Sequence, residues 1–269
     1  MTLYADTSKA LTISDLLAMK NTGEKISCLT AYDASFAVLL DQAGIEVILV
    51  GDSLGMVIQG HASTIPVSNE DMTYHTRCVA SARKRAFVVA DLPFASYATP
   101  KSALKNAARL MQTGGAQMVK LEGAKFEVIE FLVAQGIPVC GHLGLLPQSV
   151  NRLGGYKVQG REPAHAQKIL EDAIAIERAG AGMLILECVP SLLAAEITRN
   201  LGIPVIGIGA GPDCDGQVLV LYDMLNISIG NRPRFSKNFM ANADNIADAI
   251  RRYHQAVKTL AFPAAEHCY

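Results

Sequence analysis

Charged and polar side chains stand at the ends of five short apolar segments of this sequence. In chain order they are Asp52 and Ser53, then Asp91, then Lys120 and Glu122, then His142, and finally Glu187. Charged side chains are seldom fully buried without partners. Their recurrence at equivalent positions of successive segments therefore indicates one shared site with metal or acid–base chemistry.

Three of the acids are suited to a hard metal ion. Asp52, Asp91 and Glu122 offer the oxygen ligands that Mg²⁺ prefers, and no His/Cys set with zinc spacing competes with them. Mg²⁺ held by carboxylates can chelate a 2-oxo acid and stabilise the enolate formed on proton loss. Lys120 can neutralise the substrate carboxylate or the enolate, and Glu187, flanked by apolar residues, is the candidate base. We predict an enzyme that forms such an enolate and makes a carbon–carbon bond with it.

Each of these residues also has a structural interpretation. Three of them would serve as helix N-caps after their strands: Asp52, Ser53 and Asp91. Lys120 and Glu122 would form a local ion pair on one strand face. His142 would be a satisfied core histidine, and Glu187 would be a buried carboxylate held by backbone N–H groups.

The apolar segments themselves predict the fold. They are short, continuously apolar and rich in Val, Ile and Leu: 26–33, 47–52, 87–91, 118–123, 138–144, 183–188, 204–209 and 218–223. Such runs are typical of parallel strands buried on both faces. Eight of them in 269 residues favour a (β/α)8 barrel, with the active site at the carboxyl ends of the strands. An open doubly wound sheet is the alternative.

Helical patterns fill most gaps between the strands. The predicted helices are 34–43, 69–85, 100–113, 126–135, 164–179 and 191–200, with an additional N-terminal helix over 8–20 and a C-terminal helix over 241–258. No linker, repeat or low-complexity tract divides the chain. We therefore predict one catalytic domain over residues 1–269.

Composition limits the classes of partner. The formal net charge is −1, and no polybasic run favours nucleic acid or an acidic membrane. No apolar run reaches the roughly 18 residues that a membrane span needs, and the N-terminus lacks a secretory pattern. The six cysteines show no CxxC pair, which fits reduced thiols in a cytoplasmic protein.

Longer motifs make the sequence recognisable as a whole. They include TAYDASFA (30–37), VGDSLGMVIQGH (50–61), ADLPFASYATP (90–100), MVKLEG (118–123), VCGHLGLLPQS (139–149), GGYKVQGR (154–161), LILECVP (184–190), PVIGIGAG (204–211) and FSKNF (235–239). In this order the sequence resembles the ketopantoate hydroxymethyltransferase family, whose fold is a (β/α)8 barrel of the phosphoenolpyruvate/pyruvate superfamily. Two departures are Leu146, where many members have Thr, and 231–232, where a Gly/His-rich segment is common.

The resemblance implies a reaction. A hydroxymethyl group passes from 5,10-methylenetetrahydrofolate to 3-methyl-2-oxobutanoate, giving 2-dehydropantoate and tetrahydrofolate, in the first committed step of pantothenate synthesis. By the same resemblance, one Mg²⁺ per subunit has a site formed by Asp52, Asp91 and Glu122, partly through water.

The resemblance also assigns the remaining roles. The oxo-acid-binding positions are Asp52, Ser53, Asp91 and Lys120. Glu187 matches the catalytic base, and His142 matches a motif histidine near the substrate. The family commonly assembles as a decamer, so the resemblance implies a homodecamer.

Two glycine-containing segments and two other functions complete the predictions. The segment 207–211 (GIGAG) favours a tight βα turn over a phosphate loop, and 154–161 favours a mobile lid over a solvated loop. A lyase or mutase of the same superfamily would need a Cys in that lid, and 154–161 has none. A catalytically silent barrel would have lost a metal ligand or the base, and all four acids are present.

Overall fold

The chain forms a closed barrel of eight parallel strands, in which each strand pairs with the next and the eighth pairs with the first. The structure is a computed structural model that describes residues 9–230 and 232–269. The strands are β1 (Ile26–Thr30), β2 (Val47–Val50), β3 (Phe87–Asp91), β4 (Met118–Lys120), β5 (Val139–Gly144), β6 (Met183–Glu187), β7 (Val205–Ile208) and β8 (Gly216–Leu219). The predicted barrel is confirmed, because an open doubly wound sheet would leave two unpaired edges.

The strands are apolar throughout because both of their faces are buried. Every residue of β1, β2 and β3 is buried. Helices cover the outer face, and side chains from alternate strands fill the interior. Polar residues are therefore tolerated mainly where the strands end, at the mouth of the barrel.

Within the described residues, eight helices of at least two turns surround the barrel or flank it. They are α1 (Ile13–Thr22), α2 (Ala34–Gln42), α4 (Asn69–Ala82), α5 (Pro100–Gln112), α6 (Phe126–Ala134), α8 (Pro163–Arg178), α9 (Ser191–Asn200) and α11 (Ile246–Lys258). The same part of the chain contains three α-helices of one turn, α3 (Leu54–Val57), α7 (Val150–Leu153) and α10 (Leu221–Met224). The predicted core helices agree with these within three residues at each end.

The two terminal helices begin later than predicted. The N-terminal helix, expected over 8–20, begins at Ile13 because Thr12 and Asp15 form a capping box before it. Residue 8 lies outside the described residues. The C-terminal helix, expected from residue 241, begins at Ile246 because the side chain of Asn245 accepts a hydrogen bond from the Asp248 N–H.

The eighth strand also differs from its prediction. The apolar run 218–223 extends past the observed end of β8 at Leu219, because residues 221–224 turn into the short helix α10. The connection 209–215 between β7 and β8 contains no helix. Within it, Gly209 and Gly211 adopt positive φ values of 61° and 88°, which other residues reach at a cost. The predicted turn after β7 is therefore present, but it leads directly to β8 and is not the βα turn that was expected.

The hydrophobic core runs continuously from the barrel interior to the helices. Tyr253 of α11 is fully buried, and its hydroxyl oxygen lies 2.9 Å from the carbonyl oxygens of both Cys28 in β1 and Gln217 in β8, which share its single proton. This contact holds the C-terminal helix against the two strands, β1 and β8, whose pairing closes the barrel. In the described part of the chain, no helix is long and apolar enough to cross a membrane.

Candidate active site

A cavity of about 680 Å³ opens at the carboxyl ends of the strands. All seven of the predicted site residues line it: Asp52, Ser53, Asp91, Lys120, Glu122, His142 and Glu187. They come from β2 through β6 or from the residues that directly follow these strands. In a closed parallel barrel these positions meet at one mouth, which is why residues far apart in the chain converge.

Lys120 forms an ion pair with its neighbour in the sheet. The register of β3 and β4 places Asp91 directly opposite Lys120. The ammonium Nζ lies 2.6 Å from Asp91 Oδ1, and both side chains are almost fully buried. The ion-pair partner of Lys120 is therefore Asp91, and not Glu122 as the spacing of two residues had suggested. Cross-strand neighbours on one face are about 5 Å apart at Cβ, and this brings the charges of Lys120 and Asp91 together.

Neither Asp91 nor the pair at 52–53 serves as a helix cap. Asp91 Oδ2 accepts a hydrogen bond from the Asp52 N–H at 3.1 Å. Ser53 occupies the N-cap position of α3, but its side chain makes no capping hydrogen bond. Its Oγ lies 2.9 Å from the hydroxyl of Tyr32. These side chains are thus free to face the cavity instead of stabilising a helix end.

His142 lies between two acids. Its Nδ1 is 3.7 Å from Glu122 Oε1, and its Nε2 is 3.4 Å from Glu187 Oε2. Neither nitrogen has a hydrogen-bond partner within the described residues, so His142 is not the satisfied core histidine of the structural interpretation. Burial, and next the charge of Lys120, hold the pKa of His142 well below its usual value. The ring is therefore neutral at neutral pH.

Glu187 ends β6 and reaches into the cavity with 14% of its side chain exposed. The backbone of β5 packs closely against the backbone of Glu187 at Gly144. Gly144 has φ 91°, and a Cβ there would lie 2.2 Å from the Glu187 carbonyl oxygen. No backbone N–H of the described residues donates to the Glu187 carboxylate, which removes the structural interpretation. Burial raises the pKa of Glu187 to about 8.

Burial also raises the pKa of two further acids of the site, Asp52 and Glu122. Burial, and next the charge of Asp91, raise the pKa of Asp52 to about 7. Burial raises the pKa of Glu122 well above its usual value. Burial opposes the charge of Lys120, yet Asp91, Glu122 and Asp52 together raise the pKa of its ammonium group. The site therefore holds a lysine cation beside three carboxyl groups of raised pKa, those of Asp52, Glu122 and Glu187.

Two residues that the sequence analysis quoted in motifs without a role are part of this network. Gln148 donates from Nε2 to Asp52 Oδ2 at 2.8 Å, and its backbone N–H donates to Glu122 Oε2 at 3.1 Å. The hydroxyl of Tyr97 donates to Gln148 Oε1 at 2.5 Å. Tyr97 lies in the motif 90–100 and Gln148 in the motif 139–149, but no spacing rule distinguishes them from ordinary polar loop residues.

The donor set fits a divalent cation. Four buried or nearly buried carboxyl groups, those of Asp52, Asp91, Glu122 and Glu187, face one lysine cation. Buried charges of one sign need compensation, and carboxylate oxygens suit Mg²⁺. In residues 9–230 and 232–269, no three His, Cys, Asp or Glu side chains form a ready set of direct ligands. Mg²⁺ commonly takes one or two carboxylates and completes its shell with water or substrate.

The outer part of the cavity has a different character. The segment 154–161, predicted to be a lid, contributes Tyr156, Lys157, Val158 and Arg161 to the lining. Its Gln159 N–H donates to the carbonyl of Cys188, the residue that follows β6, at 2.9 Å. Aromatic side chains of Phe235 and Tyr269 line the wall as well. This region suits a larger, partly flat ligand, whereas the inner acids suit a small polar one.

Comparison with known proteins identifies the family. A family model described as ketopantoate hydroxymethyltransferase matches residues 10–265. The chain belongs to the ketopantoate hydroxymethyltransferase family. It is 60% identical to a 3-methyl-2-oxobutanoate hydroxymethyltransferase of Nitrosococcus oceani, over 96% of this chain and 99% of that protein. A protein of the same name from Burkholderia multivorans is 57% identical over the full length of both chains.

Solved structures with the same fold are more distant in sequence. A phosphonopyruvate hydrolase has a TM-score of 0.59 and 14% identity, over 77% of this chain and 80% of that one. A phosphoenolpyruvate phosphomutase from Streptomyces platensis has a TM-score of 0.60 and 14% identity, over 80% and 83%. These confirm the barrel fold. The family match shows that the enzyme is a hydroxymethyltransferase and not the alternative lyase or mutase.

Proposed function

We propose that the protein transfers a hydroxymethyl group from 5,10-methylenetetrahydrofolate to 3-methyl-2-oxobutanoate, with uptake of one water. The products would be 2-dehydropantoate and tetrahydrofolate, and the reaction would open pantothenate synthesis. The observation that carries this proposal is the position of Glu187. Its carboxyl group faces the same cavity as the Asp91–Lys120 pair, and its pKa of about 8 suits a base.

The residues at the inner end of the cavity have separate roles towards the oxo acid. Glu187 in its ionised form takes the proton from C3. The ammonium group of Lys120 neutralises negative charge on the substrate, and the Asp91 carboxylate holds that ammonium group in place at 2.6 Å. His142 stays neutral beside Glu187 and therefore does not lower the pKa of the base as an imidazolium would.

Asp52, Asp91 and Glu122 are the residues that would hold a divalent cation, with water completing its shell. When bound, Mg²⁺ supplies positive charge opposite the oxygen that becomes negative as the C3 proton leaves. Ser53, which lines the cavity beside Asp52, offers a hydroxyl to a substrate oxygen. These roles extend the residue assignments of the sequence analysis and remain predictions.

The folate donor would occupy the outer part of the cavity. The aromatic side chains of Tyr156, Phe235 and Tyr269 offer flat apolar surface for a pteridine ring. Lys157 and Arg161 offer positive charge for the glutamate carboxylates of the folate. The segment 154–161 would exclude water from the enolate once both substrates are bound.

The decisive experiment separates proton removal from carbon transfer. The protein is incubated with 3-methyl-2-oxobutanoate and Mg²⁺ in D₂O without folate, and the C3 proton is followed by NMR. We expect metal-dependent exchange that Glu187→Gln abolishes, and 2-dehydropantoate once 5,10-methylenetetrahydrofolate is added. Absence of exchange in the intact protein, together with absence of product, would overturn the proposal. The homodecamer and the cytoplasmic location also remain predictions.

A further inference from the structure

The carboxamide of Gln148 lies at the centre of a buried hydrogen-bond network. The side chain is almost fully buried, in a 3₁₀ turn (Pro147–Ser149) that follows β5. Its Nε2 donates to Asp52 Oδ2 at 2.8 Å and to the Leu92 carbonyl at 3.0 Å. Its Oε1 accepts from the Tyr97 hydroxyl at 2.5 Å. Both amide hydrogens and the amide oxygen are therefore used.

Tyr97 determines which way that amide points. Its hydroxyl oxygen lies 3.3 Å from the Glu122 N–H, which donates to it, so its own proton is available for Gln148 Oε1. A rotated amide would turn Oε1 towards the Asp52 carboxylate and the Leu92 carbonyl, and three acceptors would then face each other. Such unpaired buried acceptors are costly. The tyrosine hydroxyl thus directs the Gln148 donors at Asp52.

The same network reaches Glu122 by two routes. The Gln148 N–H donates to Glu122 Oε2 at 3.1 Å, and Tyr97 bonds the Glu122 backbone. Asp52 follows β2 and Glu122 follows β4, so one residue after β5 connects acids from two other strands. Neither Tyr97 nor Gln148 is among the residues that line the cavity. They can therefore affect the site only indirectly, through the acids Asp52 and Glu122 that they hydrogen-bond.

We propose that Tyr97 and Gln148 form a positioning pair that orients Asp52 and Glu122 for a divalent cation and the oxo acid. This inference rests on the proposed function. Neutral donors hold the two carboxylates in one orientation without cancelling their charge, as a lysine or arginine would. Partners that fix the orientation of metal-binding side chains commonly change metal affinity by about 10- to 100-fold when removed.

The test measures binding of Mn²⁺ alone, by the EPR signal of the free ion during titration of the purified full chain. The variants are Tyr97→Phe and Gln148→Met, which keep the approximate shape and remove the hydrogen bonds. Tyr253→Phe is the matched control, because Tyr253 is also a buried tyrosine bonded to carbonyls, but at the β1–β8 seam. Urea unfolding of each variant reports stability separately.

We expect Tyr97→Phe and Gln148→Met to weaken Mn²⁺ binding about tenfold or more, and Tyr253→Phe to leave it unchanged while lowering stability. The double variant should bind Mn²⁺ about as weakly as Gln148→Met, because the two residues act in series. Unchanged Mn²⁺ affinity in both single variants, beside normal binding by the intact chain, would overturn the positioning role alone. An intact chain that binds no Mn²⁺ would overturn the metal part of the proposed function and this inference together.

Discussion

Nε2 of His142 lies 3.4 Å from Oε2 of Glu187, where neighbouring strands β5 and β6 end at the barrel mouth. Burial keeps the pKa of His142 well below its usual value and raises that of Glu187 to about 8. The histidine therefore keeps one charge state across the range in which the glutamate titrates. Of these two residues, only Glu187 changes its charge near pH 8. The rate of proton removal should therefore depend on the ionisation of Glu187 and not on that of His142.

The rate of C3 deuterium exchange should follow the ionisation of Glu187. Because the base must be ionised, the rate should fall about tenfold per pH unit well below pH 8 and level off above it. NMR exchange rates between pH 6 and 9.5 measure this profile. Glu187→Gln should lower the plateau by about 10²- to 10⁴-fold, whereas Glu196→Gln, at an exposed site on α9, should not. A profile that is flat from pH 6 to 9 would contradict the assignment of the base.

Glu187 should also make the fold less stable as pH rises. The folded chain holds this proton up to pH about 8, whereas the unfolded chain releases it near the ordinary value of 4.5. Unfolding therefore releases a proton between these pH values, and this residue's contribution to the free energy of unfolding falls across that window. At pH 8.5 Glu187→Gln should be more stable than the intact chain by on the order of 2 kcal/mol. Urea unfolding at pH 5 and 8.5 tests this, and an equal difference at both would refute it.

Removal of the Lys120 ammonium group should leave buried carboxylates without compensation. Lys120→Met is expected to lower the free energy of unfolding by about 3 kcal/mol at pH 7 in metal-free buffer. Adding Asp91→Asn should restore part of that loss, since it removes the charge that Lys120 neutralised. Lys168→Met, which removes an ion pair with Asp172 at an exposed lysine, should change the free energy of unfolding much less, because water screens the charges of an exposed pair. Similar losses for both lysines would argue against a buried pair.

A divalent cation should stabilise the fold through the acids of the mouth. Saturating Mg²⁺ is expected to raise the melting temperature, because a ligand at about 100 times its Kd contributes about 2.7 kcal/mol. Asp52→Asn and Asp91→Asn should abolish most of that increase, and EDTA should reverse it. Asp248→Asn on α11, where the aspartate pairs with Arg252 on the surface, is the control. An increase that survives in both active-site variants would place the cation elsewhere.

The rim of the cavity should select the folate donor. Arg161→Glu and Lys157→Glu are expected to raise KM for a polyglutamyl 5,10-methylenetetrahydrofolate about tenfold, and KM for the oxo acid much less. Lys168→Glu, on α8 outside the lining of the cavity, provides a matched charge reversal. Equal changes in both KM values would show that these cations do not distinguish the two substrates.

Much of this architecture was predictable because the relevant signals are local. Buried parallel strands need continuous apolar runs, and these runs located all eight strands. The predictions were less accurate where capping decided a boundary, as at Ile13 and Ile246, or where an apolar run crossed a turn, as at Leu219. Apolar character does not distinguish the last residues of β8 from the first residues of α10.

The sequence by itself determined the barrel, the family and the seven predicted site residues at the mouth, because each depends on residue type and order along the chain. The tertiary structure decided which of these residues are partners. Strand register pairs Lys120 with Asp91 and not with Glu122, and the turn after β5 brings Gln148 to two acids from other strands. Hydrogen bonds and pKa shifts depend on distances of a few ångströms and on burial, and both arise only once the barrel closes.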